Sequence, residues 1–236
     1  MRTAKTVLTV IQERGKQKKP IERVYKLLFN RELYLNAYAK LYPNNGAMTK
    51  GVTDETVDGM SIQKIDRMIE ILREEKYQWK PTRREYIKKK NGKKRPLGIP
   101  IWGDKVLQEV MRQILEAYYE PQFSEHSHGF RPNRGCHTAL QEIQVWKGTR
   151  WFIEGDISQY FDTIDHKILL EILARNIHDG RFIRLVSNML EAGYLEEWKF
   201  NQTISGVPQG GVISPILANI YPVSYTHLRA HETDSY

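Results

Sequence analysis

The sequence lacks most of the features that define secreted and membrane proteins. It contains a single cysteine, Cys136, so no disulfide can form within the chain, and such usage is typical of a reducing compartment. No apolar run approaches the roughly 20 residues that a membrane-spanning helix needs, and the first residues lack the apolar core of a signal peptide. We therefore predict a cytoplasmic protein that makes no use of a membrane.

Acidic residues are in the minority. The chain has 36 Lys and Arg residues against 28 Asp and Glu, a net charge of +8. Its hydrophobic content of 40% and mean hydropathy of −0.57 are typical of a globular protein. The positive balance favours a polyanionic partner, and its distribution along the chain says more than the total.

The basic residues are densest between Arg83 and Arg95, where only Glu85 opposes them. Asn91-Gly92 within this segment predicts a hairpin turn. Charges on an exposed hairpin can hold phosphates, whereas the alternative is a loop that only keeps the protein in solution. The hairpin residues predicted to bind RNA are Arg83, Arg84, Lys88, Lys90, Lys93 and Lys94. A second basic group, 14–19, predicts a flexible arm over 1–20.

Apolar spacing predicts a mixed α/β fold. Helical periodicity covers about 21–42 with a break near Asn30, then 61–75, 105–119, 136–146, 165–176 and 181–191. Strands are expected on both sides of Asn91-Gly92 and over 197–204.

One acidic residue lies at a position where it could bind a metal ion. In WFIEGDISQYFDTIDH (Trp151 to His166) an apolar run predicts a buried strand that ends at Asp156. A carboxylate there suits Mg²⁺, and two such ions form the usual clamp for nucleotidyl transfer. The plainer alternative is a turn aspartate, which is also the better interpretation of Asp162 and Asp165.

A glycine-rich loop precedes the last predicted helix. In ISGVPQGGVISPILANIY (Ile204 to Tyr221) the glycines permit a tight loop that can approach a ligand. Ser214-Pro215 is an N-cap and first-turn pair, so a helix is expected to start there. Alone, such a loop is common in proteins.

Together these segments resemble the reverse transcriptases encoded by bacterial group II introns, often called intron maturases. The segments Lys89 to Leu115 and His126 to Leu140 resemble two further blocks of that family, in the family's order. The resemblance implies the fingers and part of the palm of a right-hand polymerase. It divides the chain into a basic arm (1–20), a helical extension (21–80), fingers (81–150) and a partial palm (151–221).

The resemblance also implies roles for individual residues. Asp156 would be catalytic and would bind Mg²⁺ with the backbone carbonyl of Ile157. The residues implied to contact the incoming dNTP are Lys89, Arg95, Phe161 and Gln209. Among Lys88, Lys89 and Lys90 the sequence does not decide which lysine contacts the triphosphate. Phe161 would act as a steric gate against the ribose 2′-hydroxyl, with core packing as the alternative.

The block around Phe130 looks like a template-side element, because an aromatic ring with Arg131 and Arg134 suits single-stranded RNA. Phe130 could equally anchor the core. The nearby His126, His128, Cys136 and His137 do not have the spacing of a structural zinc site.

This chain departs from the family pattern after Tyr221. In the family, a hairpin with a Tyr-Ala-Asp-Asp box follows and completes the metal site. Here Pro222 to Thr233 reads PVSYTHLRAHET, which resembles one reading frame of a transposase adapter used in sequencing libraries. We therefore expect residues 222–236 to be a non-native tail, and we leave them out of fold and function.

Two functions remain open. The first is an RNA-directed DNA polymerase that copies RNA with Mg²⁺ and dNTPs from a DNA primer and also assists splicing of group II intron RNA. The second is a non-catalytic RNA-binding splicing cofactor. An RNA-copying RNA polymerase is disfavoured by Phe161. The missing box predicts that these 236 residues do not polymerise DNA on their own.

Overall fold

Helix α4 (Trp102–Tyr119) lies at the centre of the molecule in a computed structural model that describes residues 2–88, 92, 94–151, 153–208 and 210–222. Many of its residues are buried, among them Val106, Leu107, Val110 and Met111, all fully buried, and several of its polar residues are buried as well. A helix buried to this extent lies inside the core. The remaining elements pack around it.

Residues 4–16 form helix α1 (Ala4–Lys16), so the predicted flexible arm is wrong over this stretch. The Thr3 side chain caps the helix, and Ala4, Ile11 and Gly15 are buried on its packed face. An apolar stripe that recurs every three to four residues can dock a helix even when the rest of its surface is charged. The prediction was based on the basic composition of 14–19 and gave too little weight to this stripe.

The next elements form an N-terminal layer. Strand β1 (Ile21–Glu22) is followed by a 3-10 helix (Val24–Phe29), helix α2 (Arg31–Leu41) and helix α3 (Ile62–Arg73). Asn30 marks the predicted break, since its side chain accepts a hydrogen bond from Glu32 and caps α2. Ser61 caps α3 in the same way.

The fingers region contains a four-stranded sheet. Strands β2 (Thr82–Lys88) and β3 (Lys94–Ile99) form the antiparallel hairpin predicted around Asn91-Gly92. Strand β5 (Tyr194–Glu196) pairs parallel to β2, and β6 (Lys199–Asn201) pairs antiparallel to β5, so the order is β3-β2-β5-β6. The strand predicted over 197–204 is confirmed only over β6, because the chain reverses direction at Glu197 and Trp198 and residues 202–204 are irregular.

Shorter elements complete the fold. Helix α5 (Cys136–Gln144) leads to the short helix α6 (Tyr160–Thr163), then α7 (His166–Asn176), strand β4 (Ile177–His178), α8 (Gly180–Leu190) and a helix α9 over 214–222. Strand β4 pairs parallel to β1, which joins the N-terminal layer to the segment between α7 and α8. Of the helices described, none is both long and apolar enough to cross a membrane.

The predicted buried strand before Asp156 is wrong in this structure. Residues 151 and 153–157 are irregular, and Trp151 and Ile153 are 86% and 93% exposed. A strand needs a neighbour to pair its backbone groups, and no part of the chain that the structure describes pairs with this segment. The apolar run therefore lacks the partner on which its burial would depend.

Candidate active site

The loop after Ser205 is held on one side by the turn that contains Phe161. The Gly206 N–H donates to the carbonyl of Ile164 at 2.8 Å, and the Val207 N–H donates to the carbonyl of Phe161 at 2.8 Å. Gly206 has φ +85°, and a Cβ there would lie 2.8 Å from the Phe161 carbonyl oxygen. Glycine is therefore required for this close approach.

The other side of the loop lies against strand β3. Gly210 has φ +104°, and a Cβ would lie 2.7 Å from Leu97 Cδ1 and 2.9 Å from the Gly98 carbonyl oxygen. The structure thus brings the glycine-rich loop between β3, which carries Arg95, and the turn that carries Phe161. Gln209, on this loop, lies outside the described residues.

Two buried polar side chains fix the loop backbone from beneath. The Val212 N–H donates to Gln108 Oε1 at 2.9 Å, and the Ser214 hydroxyl donates to the Pro208 carbonyl at 2.8 Å. Sequence reasoning missed Gln108, although a polar residue within the buried periodicity of α4 was a usable signal. These bonds attach the loop to the central helix.

Phe161 is half-buried beside the loop. Its ring packs edge-on against Phe130, with centroids 6.2 Å apart, and against Tyr160 at 6.0 Å. Phe130 is 67% exposed and has φ +55°. The template-side block and the proposed gate residue therefore meet at one aromatic contact.

Asp156 and Ile157 lie in the irregular segment that precedes this turn. Both are exposed, and Ile157 is 65% exposed. Within the described ranges, no three acidic, histidine or cysteine side chains are grouped so that they could hold a metal ion. Asp156 is thus a single hard oxygen ligand, which does not by itself fit a two-metal centre.

The basic residues of the hairpin differ in their surroundings. Lys88, Lys94 and Arg95 are exposed, whereas Arg83 donates two hydrogen bonds to the Lys50 carbonyl and pairs with Glu85. Arg84 lies 3.4 Å from the centre of the Tyr194 ring, a cation–π contact. Lys89, Lys90 and Lys93 lie outside the described residues.

The two arginines of the template-side block are bound to protein groups. Arg131 is 8% exposed and pairs with Glu120 at 2.9 Å, and it also donates to the carbonyls of Ser124 and Ser127. Arg134 donates to the carbonyl of Glu125. All three nitrogens of the Arg131 guanidinium therefore bind protein acceptors, and we do not include Arg131 in the RNA surface proposed below.

Two histidines in the same block share a carboxylate. His128 Nε2 lies 2.8 Å from Glu142 Oε2, and His126 pairs with the other oxygen of Glu142. The hydrogen bonds from His126 and His128 hold the pKa of the Glu142 carboxyl below its usual value. This contact joins the loop around residue 126 to helix α5.

A cleft of about 380 Å³ opens beside the glycine-rich loop. The sheet contributes Arg84, Pro96 and Tyr194 to its walls, and the loop contributes the segment from Gln202 to Pro208. Tyr194 and Gln202 were missed in the sequence because nothing there indicated that β5 pairs with β2. The cleft is a candidate for contact with nucleic acid or nucleotide.

These features coincide with a known family. Residues 87–226 match the family described as "Reverse transcriptase (RNA-dependent DNA polymerase)". The chain belongs to the reverse transcriptase family. The match runs to residue 226, slightly beyond Tyr221, the last residue at which the chain follows the family pattern described above.

Several relatives of the chain carry the names of intron proteins. It is 51% identical over 201 residues to "Group II intron-encoded protein LtrA" of Lactococcus lactis subsp. cremoris, covering 84% of this chain and 34% of that protein. It is 47% identical over 226 residues to an uncharacterised 91 kDa protein in the cob intron of Schizosaccharomyces pombe, covering 92% and 28%. The chain thus spans about a third of the length of the curated relatives it matches.

A solved structure agrees on the fold. This reverse transcriptase superposes on a chain of the "Partial Cas6-RT-Cas1--Cas2 complex" with a TM-score of 0.57 at 19% identity, covering 88% of this chain and 35% of that one. Such a likeness supports the predicted mixed α/β, reverse transcriptase-like fold. Enzymes of this family generally use divalent metal ions.

Proposed function

We propose that the chain forms the RNA-holding and nucleotide-contacting part of an RNA-directed DNA polymerase of the group II intron type. In this proposal the whole protein copies an RNA template from a DNA primer with dNTPs and Mg²⁺, and it binds group II intron RNA in splicing and mobility. The observation that carries the proposal is the packing of the glycine-rich loop between β3 and the Phe161 turn.

The packing supports specific roles for this chain's residues. Arg95 on β3 and Gln209 on the loop would lie on either side of the incoming triphosphate, with Lys89 as a further cation. A guanidinium can bind two phosphate oxygens at once, which orients the phosphate as well as attracting it. The half-buried ring of Phe161 would sit under the sugar and exclude a 2′-hydroxyl.

The metal is the least complete part of the proposal. Asp156 and the Ile157 carbonyl would contribute one carboxylate and one carbonyl to Mg²⁺, which activates the attacking hydroxyl and stabilises the leaving pyrophosphate. Ions about 3.5–4 Å apart need further carboxylates. The described residues do not supply them, so we assign no step of the reaction to a metal held by this chain alone.

The RNA-binding part can be tested directly. Replacing Lys88, Lys89 and Lys90 by alanine should weaken binding of single-stranded RNA and flatten the plot of log affinity against log salt by up to about three units. The matched control is Lys5→Ala together with Lys64→Ala, exposed lysines away from the hairpin. An unchanged slope in the hairpin variant would show that the hairpin does not contact phosphate.

The gate role needs an active polymerase, so its test uses a polymerase in which these residues are joined to a complete metal site. Phe161→Val should raise the ratio of ribonucleotide to deoxynucleotide incorporation while leaving RNA binding intact. An unchanged ratio would assign Phe161 to packing alone, in line with its contacts to Phe130 and Tyr160.

A second function, non-catalytic RNA binding, is favoured for these residues by the exposed, unpaired segment around Asp156. Primer extension on poly(rA) with oligo(dT), dTTP and Mg²⁺ distinguishes the two. We expect no product from the 236-residue chain above a control without enzyme. Product that disappears in Asp156→Ala would refute this expectation and require other ligands within the chain.

A further inference from the structure

The β5–β6 hairpin presents a tryptophan at its tip. Trp198 follows Glu197 in the two-residue turn between the strands, and its side chain is 96% exposed. An exposed tryptophan forgoes the large favourable free energy that burial of its indole ring would give. Nothing in the packing of the hairpin requires a large apolar ring at this position.

The backbone of this turn is also unfavourable for the residues it contains. Glu197 and Trp198 have φ values of +49° and +65°, the left-handed region that two-residue hairpin turns usually fill with Asn-Gly. For residues with a bulky side chain, such a conformation is unfavourable. Exposure and strain both disfavour this tryptophan in the folded protein, which points to a contact outside the chain.

A groove of about 260 Å³ lies beside the indole. Its walls include Arg83, Arg84, Glu85, Leu195 and Glu197 together with Trp198. Arg83 is already paired with Glu85 and with the Lys50 carbonyl, and Arg84 lies over the Tyr194 ring, so the groove offers a planar apolar ring rather than a free cation. Acidic Glu197 and Glu196 lie next to the turn, which disfavours a phosphate at the tip itself.

Exposed cations lie beside the indole and farther along the same sheet. Lys199 directly follows Trp198 and is exposed. Lys88 and Lys94 are opposite each other at the far end of the β2–β3 hairpin and are exposed, with the Lys94 ammonium 6.0 Å from the centre of the Tyr86 ring. A basic track combined with an aromatic ring is the usual arrangement for unpaired nucleic acid, since phosphates follow the charges and bases stack on the ring. The sheet therefore provides both halves of a single-strand site.

We propose that Trp198 is a stacking platform for one unpaired base of the RNA whose phosphates bind the β2–β3 hairpin. This inference rests on the proposed RNA-binding function. It adds to that function a contact residue, Trp198, a stacking interaction and the requirement that the RNA be single-stranded. Stacking is tolerant of sequence because every base has a π-face, so the site would take any single-stranded RNA.

The test measures binding of fluorescein-labelled single-stranded poly(U), whose bases are largely unstacked, to the 236-residue chain. Trp198→Ala should lower the affinity by about 5- to 150-fold, the range for losing one stacked base. Trp198→Tyr should retain most of the affinity. The salt slope should stay unchanged in both variants, because no phosphate contact is lost. Affinity for a blunt duplex RNA should not move, since its bases are already stacked.

Two controls separate function from folding. Trp198→Gly removes the ring and suits the positive φ, so it should bind RNA as weakly as Trp198→Ala while its melting temperature stays equal or rises. Trp151→Ala removes another exposed tryptophan, 86% exposed and outside the sheet, and should change affinity by less than about twofold.

The outcomes distinguish this inference from the proposed function. Failure of the unaltered chain to bind RNA would refute the proposed function. Salt-dependent RNA binding that is equal in Trp198→Ala and the unaltered chain would overturn the stacking role. An equal loss in Trp151→Ala would overturn it as well. Self-association that depends on Trp198, with RNA affinity unchanged, would assign the indole to a protein contact instead.

Discussion

Single buried polar residues link the segments of this protein. Asp104 lies near the start of α4, almost fully buried, where it accepts hydrogen bonds from the Tyr77 hydroxyl at 2.7 Å and the Lys80 N–H at 3.1 Å. Burial raises the pKa of its carboxyl to about 6, against the lowering effect of those hydrogen bonds. Asp104 thus fixes the chain just before β2 to the central helix.

The raised pKa of Asp104 predicts how the stability of the protein depends on pH. The folded state keeps this proton up to about pH 6, whereas the unfolded state loses it near 3.8, so this group's contribution to stability falls as pH rises between these values. A difference of about two pKa units corresponds to roughly 3 kcal/mol. Asp104→Asn removes this titration. In urea unfolding, the free energy of unfolding of the variant should therefore rise by roughly 3 kcal/mol relative to that of the unaltered protein as the pH increases from about 4 to about 7. Parallel pH profiles would contradict it.

Arg131 gives a second prediction at this scale. Because its guanidinium is buried against Glu120 and two carbonyls, Arg131→Ala leaves several acceptors without a partner and should lower the free energy of unfolding by about 3 kcal/mol. Arg131→Lys should restore part of the loss. Arg134→Ala, half-buried with one carbonyl contact, serves as the comparison and should cost less than about 1 kcal/mol. Similar losses in both alanine variants would refute the structural role of Arg131.

At the scale of elements, the glycine-rich loop is positioned by what it contacts more than by its own residues. It contacts β3, the Phe161 turn and α4, and each contact depends on a glycine without room for a Cβ or on a buried polar side chain. Any change that displaces the loop from β3 therefore also changes the surroundings of Arg95, a residue proposed to contact the triphosphate.

Gly210→Ala tests this dependence. The new Cβ would meet Leu97 and the Gly98 carbonyl at a φ of +104°, so the loop must shift or strain. We expect a loss of about 1–3 kcal/mol in stability, seen as a lower melting temperature. Gly46→Ala is the control, because a Cβ there meets nothing within 4 Å. Equal melting temperatures for the two variants would show that the loop is not clamped against β3.

The sequence predicted those helices and strands whose limits are set by residues close to them in the chain. Asn91-Gly92 predicted the β2–β3 hairpin, and Ser61 and Asp165 predicted the starts of α3 and α7. The turn at Glu197 and Trp198 could not be predicted, because neither residue is one that such turns normally contain. The contacts of Gln108 depend on a loop about a hundred residues away and left little trace in the local pattern.

At the scale of the molecule, the N-terminal residues are part of the same packed body as the rest. Helix α1 packs on α4, the Tyr118 hydroxyl donates to the Lys19 carbonyl at 3.0 Å, and Trp79 Nε1 donates to the Leu185 carbonyl at 3.0 Å. The basic residues at 14–19 are therefore held on a fixed surface. They do not form the flexible arm that composition alone suggested.

Gly15→Ala tests this docking. A Cβ at Gly15 would lie 2.1 Å from the Tyr118 carbonyl oxygen, so α1 cannot keep its position on α4. The free energy of unfolding should fall by about 1–3 kcal/mol, and limited proteolysis should cut sooner between α1 and β1. Gln12→Ala, on the exposed side of the same helix, should stay within about 0.5 kcal/mol. Indistinguishable variants would contradict the docked position of α1.

The pairing of β1 with β4 has a consequence for how the chain is synthesised. Ile21 pairs with Ile177, and the Tyr25 N–H donates to the Asp179 side chain at 2.9 Å across 154 positions of sequence. These contacts can form only after residues near 180 have left the ribosome, since earlier segments have no substitute partner among them. Loops this long close slowly compared with local helices, so we expect these contacts to form late. The 3-10 helix can already pack against α3, whereas Ile21 would stay without its partner on β4 until then, which leaves this edge of the nascent N-terminal layer open to aggregation or chaperone binding.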